Sequence, residues 1–196
     1  KTARSLKHCD KGMTAASPDD AIIRFGVFAA VFSLMAIWEM ASPRRQLSQS
    51  KSRRWFTNLS LIVIDSLALR VAVPVLAVGM AEVAEKNGWG LLALTDWPAW
   101  LEFLIAFLLL DMLIYAQHVA THKIPVLWRL HKVHHADRDL DVTSGARFHP
   151  FEIILSMLYK LLLVVLIGPS ALAVFIFEVV LNASTMFNHS NIKLPL

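Results

Sequence analysis

The stretch "DMLIYAQHVATH" (residues 111–122) joins a long apolar segment to two histidines, His118 and His122. The apolar run that ends here begins near residue 99, and an α-helix of about 20 mostly apolar residues can cross a bilayer. The stretch therefore predicts a transmembrane helix over residues 99–117 that has histidines at its end. Because the two histidines are four residues apart, they would share one face of a helix.

A second histidine cluster follows in "LWRLHKVHHADRDLD" (residues 127–141), which contains His131, His134 and His135. Seven of the eight histidines of the chain lie in its second half. Neutral imidazole is the commonest protein ligand for metals, and it suits iron, zinc, copper and nickel. Five imidazoles in two clusters exceed what one tetrahedral zinc ion uses, so the sequence predicts two metal ions.

Two more histidines are candidate ligands. His189 lies in "FNHSN" (residues 187–191), and His149 lies in "RFHPFE" (residues 147–152), where Glu152 is a candidate ligand or outer partner. The complete set of predicted metal ligands is His118, His122, His131, His134, His135, His149 and His189. We expect no catalytic residue outside this metal site.

Helical periodicity groups polar side chains with the histidines, because residues three or four apart share a face. One predicted stripe consists of Asp111, Tyr115, His118 and His122. Another consists of Glu178, Asn182, Thr185 and His189. We expect Asp111, Tyr115, Glu178 and Asn182 to surround the ligands. We expect Asp111 to fix the tautomer of a histidine through a hydrogen bond.

The composition is that of a membrane protein. Of the 196 residues, 56% are hydrophobic, and the mean hydropathy is +0.54. The net charge of +4 does not indicate a nucleic-acid partner, because the basic residues lie beside apolar spans, where they set topology and contact lipid headgroups. Cys9 is the only cysteine, which excludes an internal disulfide and a zinc site built from several thiolates.

The apolar runs predict an all-α membrane protein with about three transmembrane helices and a helical hairpin. The three predicted spans cover residues 21–41, 59–81 and 99–117. We expect Pro74 to kink the second span. The run over residues 153–181 contains Gly168-Pro169 near its middle, which favours a break. Because each half is short for a full crossing, we expect a hairpin that enters and leaves by the same face.

Three regions follow from this pattern. Residues 1–20 form a polar leader that we expect to be loose, residues 21–98 form an N-terminal membrane region, and residues 99–196 form the histidine-rich region. The loop "SPRRQLSQSKSRRW" (residues 42–55) has five basic residues and no acid, which predicts a cytoplasmic position. Residues 82–98 are then an external loop, and the histidine cluster lies at the cytoplasmic end of the helices.

The order of four motifs resembles the sterol desaturase and fatty acid hydroxylase superfamily, and its bacterial branch most closely. The motifs are "DMLIYAQHVATH", "LWRLHKVHHADRDLDVT", "RFHPFE" and "FNHSNIKLP". The resemblance covers about residues 55–196. By position, His118 and His122 match the first histidine box of the family. The second box is matched by His131, His134 and His135.

This resemblance implies a membrane-bound oxidoreductase that uses two iron ions and dioxygen to hydroxylate or desaturate a lipid, either a sterol or a fatty acyl chain. Zinc is a possible substitute for iron. The implied partners are the lipid substrate, the bilayer and a small electron-transfer protein, either a ferredoxin or a b-type cytochrome. The implied location is a bacterial inner membrane. The family's third box, another H-x2-H-H, would follow the H-x-N segment, and the sequence stops at Leu196 before it. Either the native chain continues to that box or the protein lacks part of the metal site.

Two other functions remain open on the sequence alone. One is a membrane protein that binds or transports metal, and the other is a scaffold without catalysis. A transporter should hold its polar ligands near the middle of the membrane, whereas the histidines here cluster at one end of the predicted spans.

Overall fold

The computed structural model describes residues 18–194, and within them every regular element is a helix. The α-helices are α1 (Pro18–Ala41), α2 (Lys51–Ala72), α3 (Ala77–Asn87), α4 (Ala99–Lys123), α5 (Pro125–His131), α6 (Pro150–Ile167) and α7 (Ala171–His189). Short 3-10 turns lie at Leu92–Leu94 and Val142–Ala146. The predicted all-α membrane fold is confirmed. Residues 1–17, most of the predicted leader, lie outside the described residues.

Four segments of the described chain are long and apolar enough to cross a membrane. They are Lys51–Leu94, Ala99–Lys123, Pro150–Ile167 and Ala171–His189. Large apolar side chains point outward from them, as Val71 and Leu108 do, and a surface of this kind contacts lipid. The chain is a multi-pass membrane protein.

The second predicted span is divided in the structure. Helix α2 ends at Ala72 and α3 begins at Ala77, with Pro74 between them. A proline lacks the backbone N–H and disfavours helical geometry at the preceding residue, so the helix stops here instead of kinking. Helix α3 then continues to Asn87, into the segment that the sequence assigned to an external loop (residues 82–98).

Small side chains let α3 pack closely against α6 and α7. Ala77, Ala81 and Ala84 are completely buried in this interface, because small residues allow helix backbones to approach each other. Leu110 of α4 and Phe177 of α7 extend the same hydrophobic core. This core fixes the spans relative to one another, and it therefore positions the residues at their ends.

The predicted hairpin is formed by α6 and α7, which meet at Gly168 and Pro169. The two helices contain 18 and 19 residues, which is long enough to cross a bilayer. The second half of the predicted run is shorter than the helix it corresponds to, because α7 continues past Leu181 to His189. The chain therefore crosses the membrane at α6 and returns through α7.

The tip of the hairpin touches the loop that follows α3. Gly168 has a φ of 71°, and a Cβ added to it would lie 2.3 Å from the carbonyl oxygen of Trp89. The backbone N–H of Leu91 donates to the carbonyl of Leu166 at 2.9 Å. Only glycine permits both this left-handed backbone and this close approach.

Alternating helix directions gather the histidines at one end of the bundle. Arg54, at the start of α2, contacts Asp137 beside the histidines, whereas α6 ends at Gly168 on the opposite side. Helices α4 and α7 run back toward the histidines, since His122 lies in the last turn of α4 and His189 is the last residue of α7.

We expect Gly168→Ala to lower the stability of the protein for two reasons. A left-handed backbone costs a residue other than glycine about 1–3 kcal/mol, and the added Cβ would clash with the carbonyl oxygen of Trp89. The measurement is the midpoint of thermal unfolding in detergent. Gly26→Ala is the matched control, since nothing lies within 4 Å of its added Cβ. Equal midpoints for Gly168→Ala and Gly26→Ala would show that the contact between tip and loop does not hold the fold.

Candidate metal centre

Four imidazoles lie side by side at the end of the bundle. His118 and His122 come from the end of α4, His131 ends α5, and His135 lies in the turn that follows. The Nε2 atoms of His118 and His122 lie 3.3 Å apart. The Nε2 atom of His131 lies 3.2 Å from that of His122 and 3.2 Å from that of His135. Two nitrogens bound to one ion at about 2.0–2.1 Å in tetrahedral geometry are roughly 3.3 Å apart. Within this four-histidine cluster, the ligand atoms of His118, His122 and His131 all lie within 4.8 Å of one another, as ligands of one ion would, and His135 adjoins them at His131.

A proline places α5 against α4 and so assembles the cluster. Helix α4 ends at Lys123, and Pro125 occupies the first turn of α5, where its missing N–H is not needed. The resulting bend brings His131 back to the face of α4 that carries His118 and His122. The ring centroids of His131 and His122 are 4.7 Å apart.

A buried carboxylate orients His131. Its Nδ1 lies 2.5 Å from Oε1 of Glu152, in the first turn of α6, and both side chains are buried. With Nδ1–H donating to this carboxylate, the lone pair of Nε2 faces the cluster. An outer carboxylate of this kind fixes the ring and raises the basicity of a metal-binding histidine.

A second pair of imidazoles lies beside the four-histidine cluster. The Nε2 atoms of His134 and His189 are 3.1 Å apart. The Nδ1–H of His134 donates to the carbonyl of Arg147 at 2.9 Å, and Nδ1 of His189 lies 3.5 Å from the hydroxyl of Ser144. The rings of His134 and His135 are 5.0 Å apart. The six Nε2 atoms thus form two adjacent groups, one of four and one of two.

The surroundings keep the imidazoles of this turn neutral. Burial lowers the pKa of His134 to about 3, against the opposing effect of the Arg147 carbonyl. Burial and then the neighbouring His131 lower the pKa of His135. A protonated imidazole cannot bind a metal, so a lowered pKa keeps these donors available at neutral pH.

Arg54 holds the turn that carries His134 and His135. Its Nε donates to Asp137 at 2.9 Å, and its Nη1 lies 2.7 Å from Asp141, with all three side chains buried. The sequence pattern assigned this arginine only to topology and lipid headgroups. The structure instead uses it as a connection between α2 and the histidine turn.

Other polar groups reinforce the same connection. Asn58 donates to Asp137 at 3.1 Å and to Thr143 at 2.9 Å. Burial acts to raise the pKa of Asp137, but hydrogen bonds from Arg54 and Asn58 hold it below its usual range. Asp139 accepts from the backbone N–H groups of residues 48 and 49, at 2.9 Å each. Asp137 therefore stays ionised, and the turn stays attached to α2 and to the residues just before it.

Glu39 attaches α1 to the same end of the bundle. Its buried carboxylate accepts from the backbone N–H of Val142 at 2.7 Å and from that of Asn191 at 2.8 Å. Oε1 of Glu39 accepts both hydrogen bonds, and it therefore joins the end of α1 to the turn after the second histidine cluster and to the segment that follows His189.

Of the first predicted stripe, Asp111 lies away from the metal centre, and Tyr115 lies one helical turn from His118. Asp111 and Tyr115 are exposed on α4, and Asp111 is about 10 Å along the helix from His118 at 1.5 Å per residue. The carboxylate that contacts a histidine of the cluster is that of Glu152, whereas Asp111 is exposed about two turns before His118 on α4. The sequence signal for Glu152 was its place in "RFHPFE", in the first turn of α6.

Glu178 and Asn182 of the second predicted stripe lie far from His189 along α7. Glu178 lies 2.9 Å from Lys160 of α6, and eleven residues of helix separate it from His189 by roughly 16 Å. Asn182 is exposed about 10 Å from His189 along α7. The structure therefore does not bring Glu178 or Asn182 to the histidines. Helical periodicity predicts which residues share a face of a helix, but it does not predict how far along the helix axis they lie from a site.

His149 has a different contact from the other predicted ligands. It is the N-cap of α6, and its Nδ1 accepts from the backbone N–H of Phe151 at 3.2 Å. Its ring stacks on that of Phe151. The structure thus brings together six of the seven predicted ligands and assigns a capping contact to the seventh.

The sequence was compared with known families and structures. Residues 103–196 match the fatty acid hydroxylase family, and this part of the chain contains all six converging histidines. No solved structure matches the chain significantly. This match covers just under half of the chain and is consistent with the sterol desaturase and fatty acid hydroxylase superfamily that the motifs resemble.

We expect Glu152→Gln to weaken metal binding roughly 10- to 100-fold, as is typical when an outer partner of a ligand is lost. The amide keeps the shape of the side chain but removes the charge that stabilises His131. The measurement is a titration of the metal-free protein with Fe(II) or Co(II). Glu85→Gln, an exposed change in α3, is the control. Equal affinities for both variants would rule out the orienting role of Glu152.

Proposed function

We propose that this protein is a membrane-bound, dioxygen-dependent oxidoreductase that hydroxylates or desaturates a lipid C–H bond at a histidine-ligated di-iron centre. The observation that carries the proposal is the convergence of six Nε2 atoms in two adjacent groups, in a chain with four membrane-crossing segments. The family match supports the lipid hydroxylase class.

The donor set fits iron. The four-histidine cluster would hold one ion, and His134 and His189 would provide two ligands of a second. Imidazole accepts iron and zinc alike, so zinc would occupy the same nitrogens as a substitute. When bound, the iron pair supplies the oxidising power that removes hydrogen from an unactivated carbon, which no side chain provides.

The protein groups around the histidines have defined tasks in this proposal. Glu152 retains the proton on Nδ1 of His131, and the Arg147 carbonyl retains the proton on Nδ1 of His134. Trp128 packs beside His122 and His135, with ring centroids 5.4 and 5.9 Å away, and it limits the orientations of these two rings.

An apolar stripe on α4 provides a path for the lipid. Leu104, Leu108, Met112 and Tyr115 are exposed at helical spacing, and the next residue of the stripe is the exposed His118. A hydrocarbon chain that lies along this stripe stays in contact with apolar side chains until it reaches the four-histidine cluster. The stripe therefore favours an acyl chain or sterol that approaches from within the bilayer.

The position of the histidines favours an enzyme over a metal transporter. His122 lies in the last turn of α4 and His189 at the last residue of α7, whereas transporters bind their cargo near the middle of the membrane. The basic loop over residues 42–55 lies at the same end. We therefore propose that the site faces the cytoplasm of a bacterium, where a ferredoxin or a b-type cytochrome supplies electrons.

The test uses the full chain in lipid membranes, supplied with Fe(II), a reductant and isotopically labelled dioxygen. We expect an oxidised or desaturated lipid to be detected by mass spectrometry, and we expect His135→Ala to abolish both product formation and iron retention. His149→Asn is the matched control, because asparagine preserves the cap of α6 and should leave iron bound. Wild-type levels of iron and product in His135→Ala would contradict the proposal.

A further inference from the structure

A cleft of about 530 Å³ opens at the start of α2, at the histidine end of the bundle. Its lining includes four arginines and a single acid. These residues are Arg53, Arg54, Arg138, Arg147 and Asp137. Arg54 holds the histidine turn and Arg147 contacts Asp137 and Asn58, whereas the proposed function gives the side chains of Arg53 and Arg138 no task.

The one acid of the cleft is already neutralised. Asp137 accepts two hydrogen bonds from Arg54, at 2.9 and 3.0 Å, and another from Asn58. Within residues 18–194, by contrast, the exposed side chains of Arg53 and Arg138 form no ion pair. Two guanidinium groups of the cleft are thus available to an anion.

The backbone adds further donors at the same place. Ser50 lines the cleft and is the N-cap residue of α2, but its side chain caps no backbone N–H. Its hydroxyl lies 3.0 Å from that of Ser52 instead. The first N–H groups of a helix have no partner within the helix, and together with the helix dipole they favour a negative charge.

The cleft lies at the level of lipid headgroups. Lys51 begins both α2 and the segment that is long and apolar enough to cross a membrane, so Ser50 and Arg53 lie at the polar end of that segment. The ammonium of Lys51 lies over the ring of Trp55 at 4.8 Å, and tryptophan is enriched at that interface. Lipid phosphates occupy the same depth.

We propose that this cleft binds the phosphate group of an anionic membrane lipid. Arginine presents a planar fork that matches phosphate oxygens with two parallel hydrogen bonds, and basic pockets beside membrane helices bind such headgroups. A concave cleft of this size suits a headgroup better than the broad surface of a partner protein. The inference concerns the metal-free protein and does not depend on the proposed oxidation.

The test measures binding of dioctanoyl phosphatidic acid to the full chain in a maltoside detergent, by native mass spectrometry and calorimetry. Dioctanoylglycerol, which lacks the phosphate, and inorganic phosphate are the comparison ligands. We expect the double variant R53Q/R138Q to bind phosphatidic acid roughly tenfold more weakly, because two charge-assisted hydrogen bonds are lost. R44Q/R129Q removes the same net charge at exposed positions outside the cleft and should bind like the wild type.

Three results would overturn the proposal. Equal binding by R53Q/R138Q and R44Q/R129Q would show that only net charge matters. Equal binding of dioctanoylglycerol and phosphatidic acid would remove the role of the phosphate. Binding of inorganic phosphate as tightly as phosphatidic acid would assign the cleft to a soluble phosphate and overturn its assignment to a lipid. Circular dichroism and the unfolding midpoint of each variant confirm that its fold is intact.

Discussion

The buried guanidinium of Arg54 is the contact on which the metal-site geometry depends. It joins the start of α2 to Asp137 and Asp141, two acids that follow His134 and His135 in the chain. Removing one partner of a buried ion pair typically costs about 3–5 kcal/mol, because the other charge is left without compensation. The segment between Lys132 and Ala146 has little regular structure of its own, so this network defines where His134 and His135 lie.

The sequence predicted the features that depend on local spacing. The helix of residues 99–117 and the break at Gly168-Pro169 follow from apolar length and from backbone chemistry, and both are present. The four-residue spacing of His118 and His122 likewise brings their rings together. The sequence predicts a kink at Pro74, whereas in the structure the helix ends there and α3 begins as a separate helix of the core.

Contacts between distant residues could not be predicted from spacing. Arg54 and Asp137 are 83 positions apart, and His134 and His189 are 55 positions apart. Periodicity favoured Asp111 as the partner of a histidine because it relates residues of one helix. The partner found is Glu152, which reaches His131 from another helix. The family match covers the part of the chain that contains the histidines, but only the fold shows which acid contacts them and how they divide into two groups.

The central claim is that the converging Nε2 atoms are metal ligands. X-ray absorption spectroscopy at the iron edge of the iron-loaded full chain tests this claim most directly. The account predicts a first shell dominated by nitrogen, with the outer-shell scattering of several imidazole rings, and a reduction of that scattering in His135→Ala. A shell of oxygen ligands without imidazole scattering would contradict it.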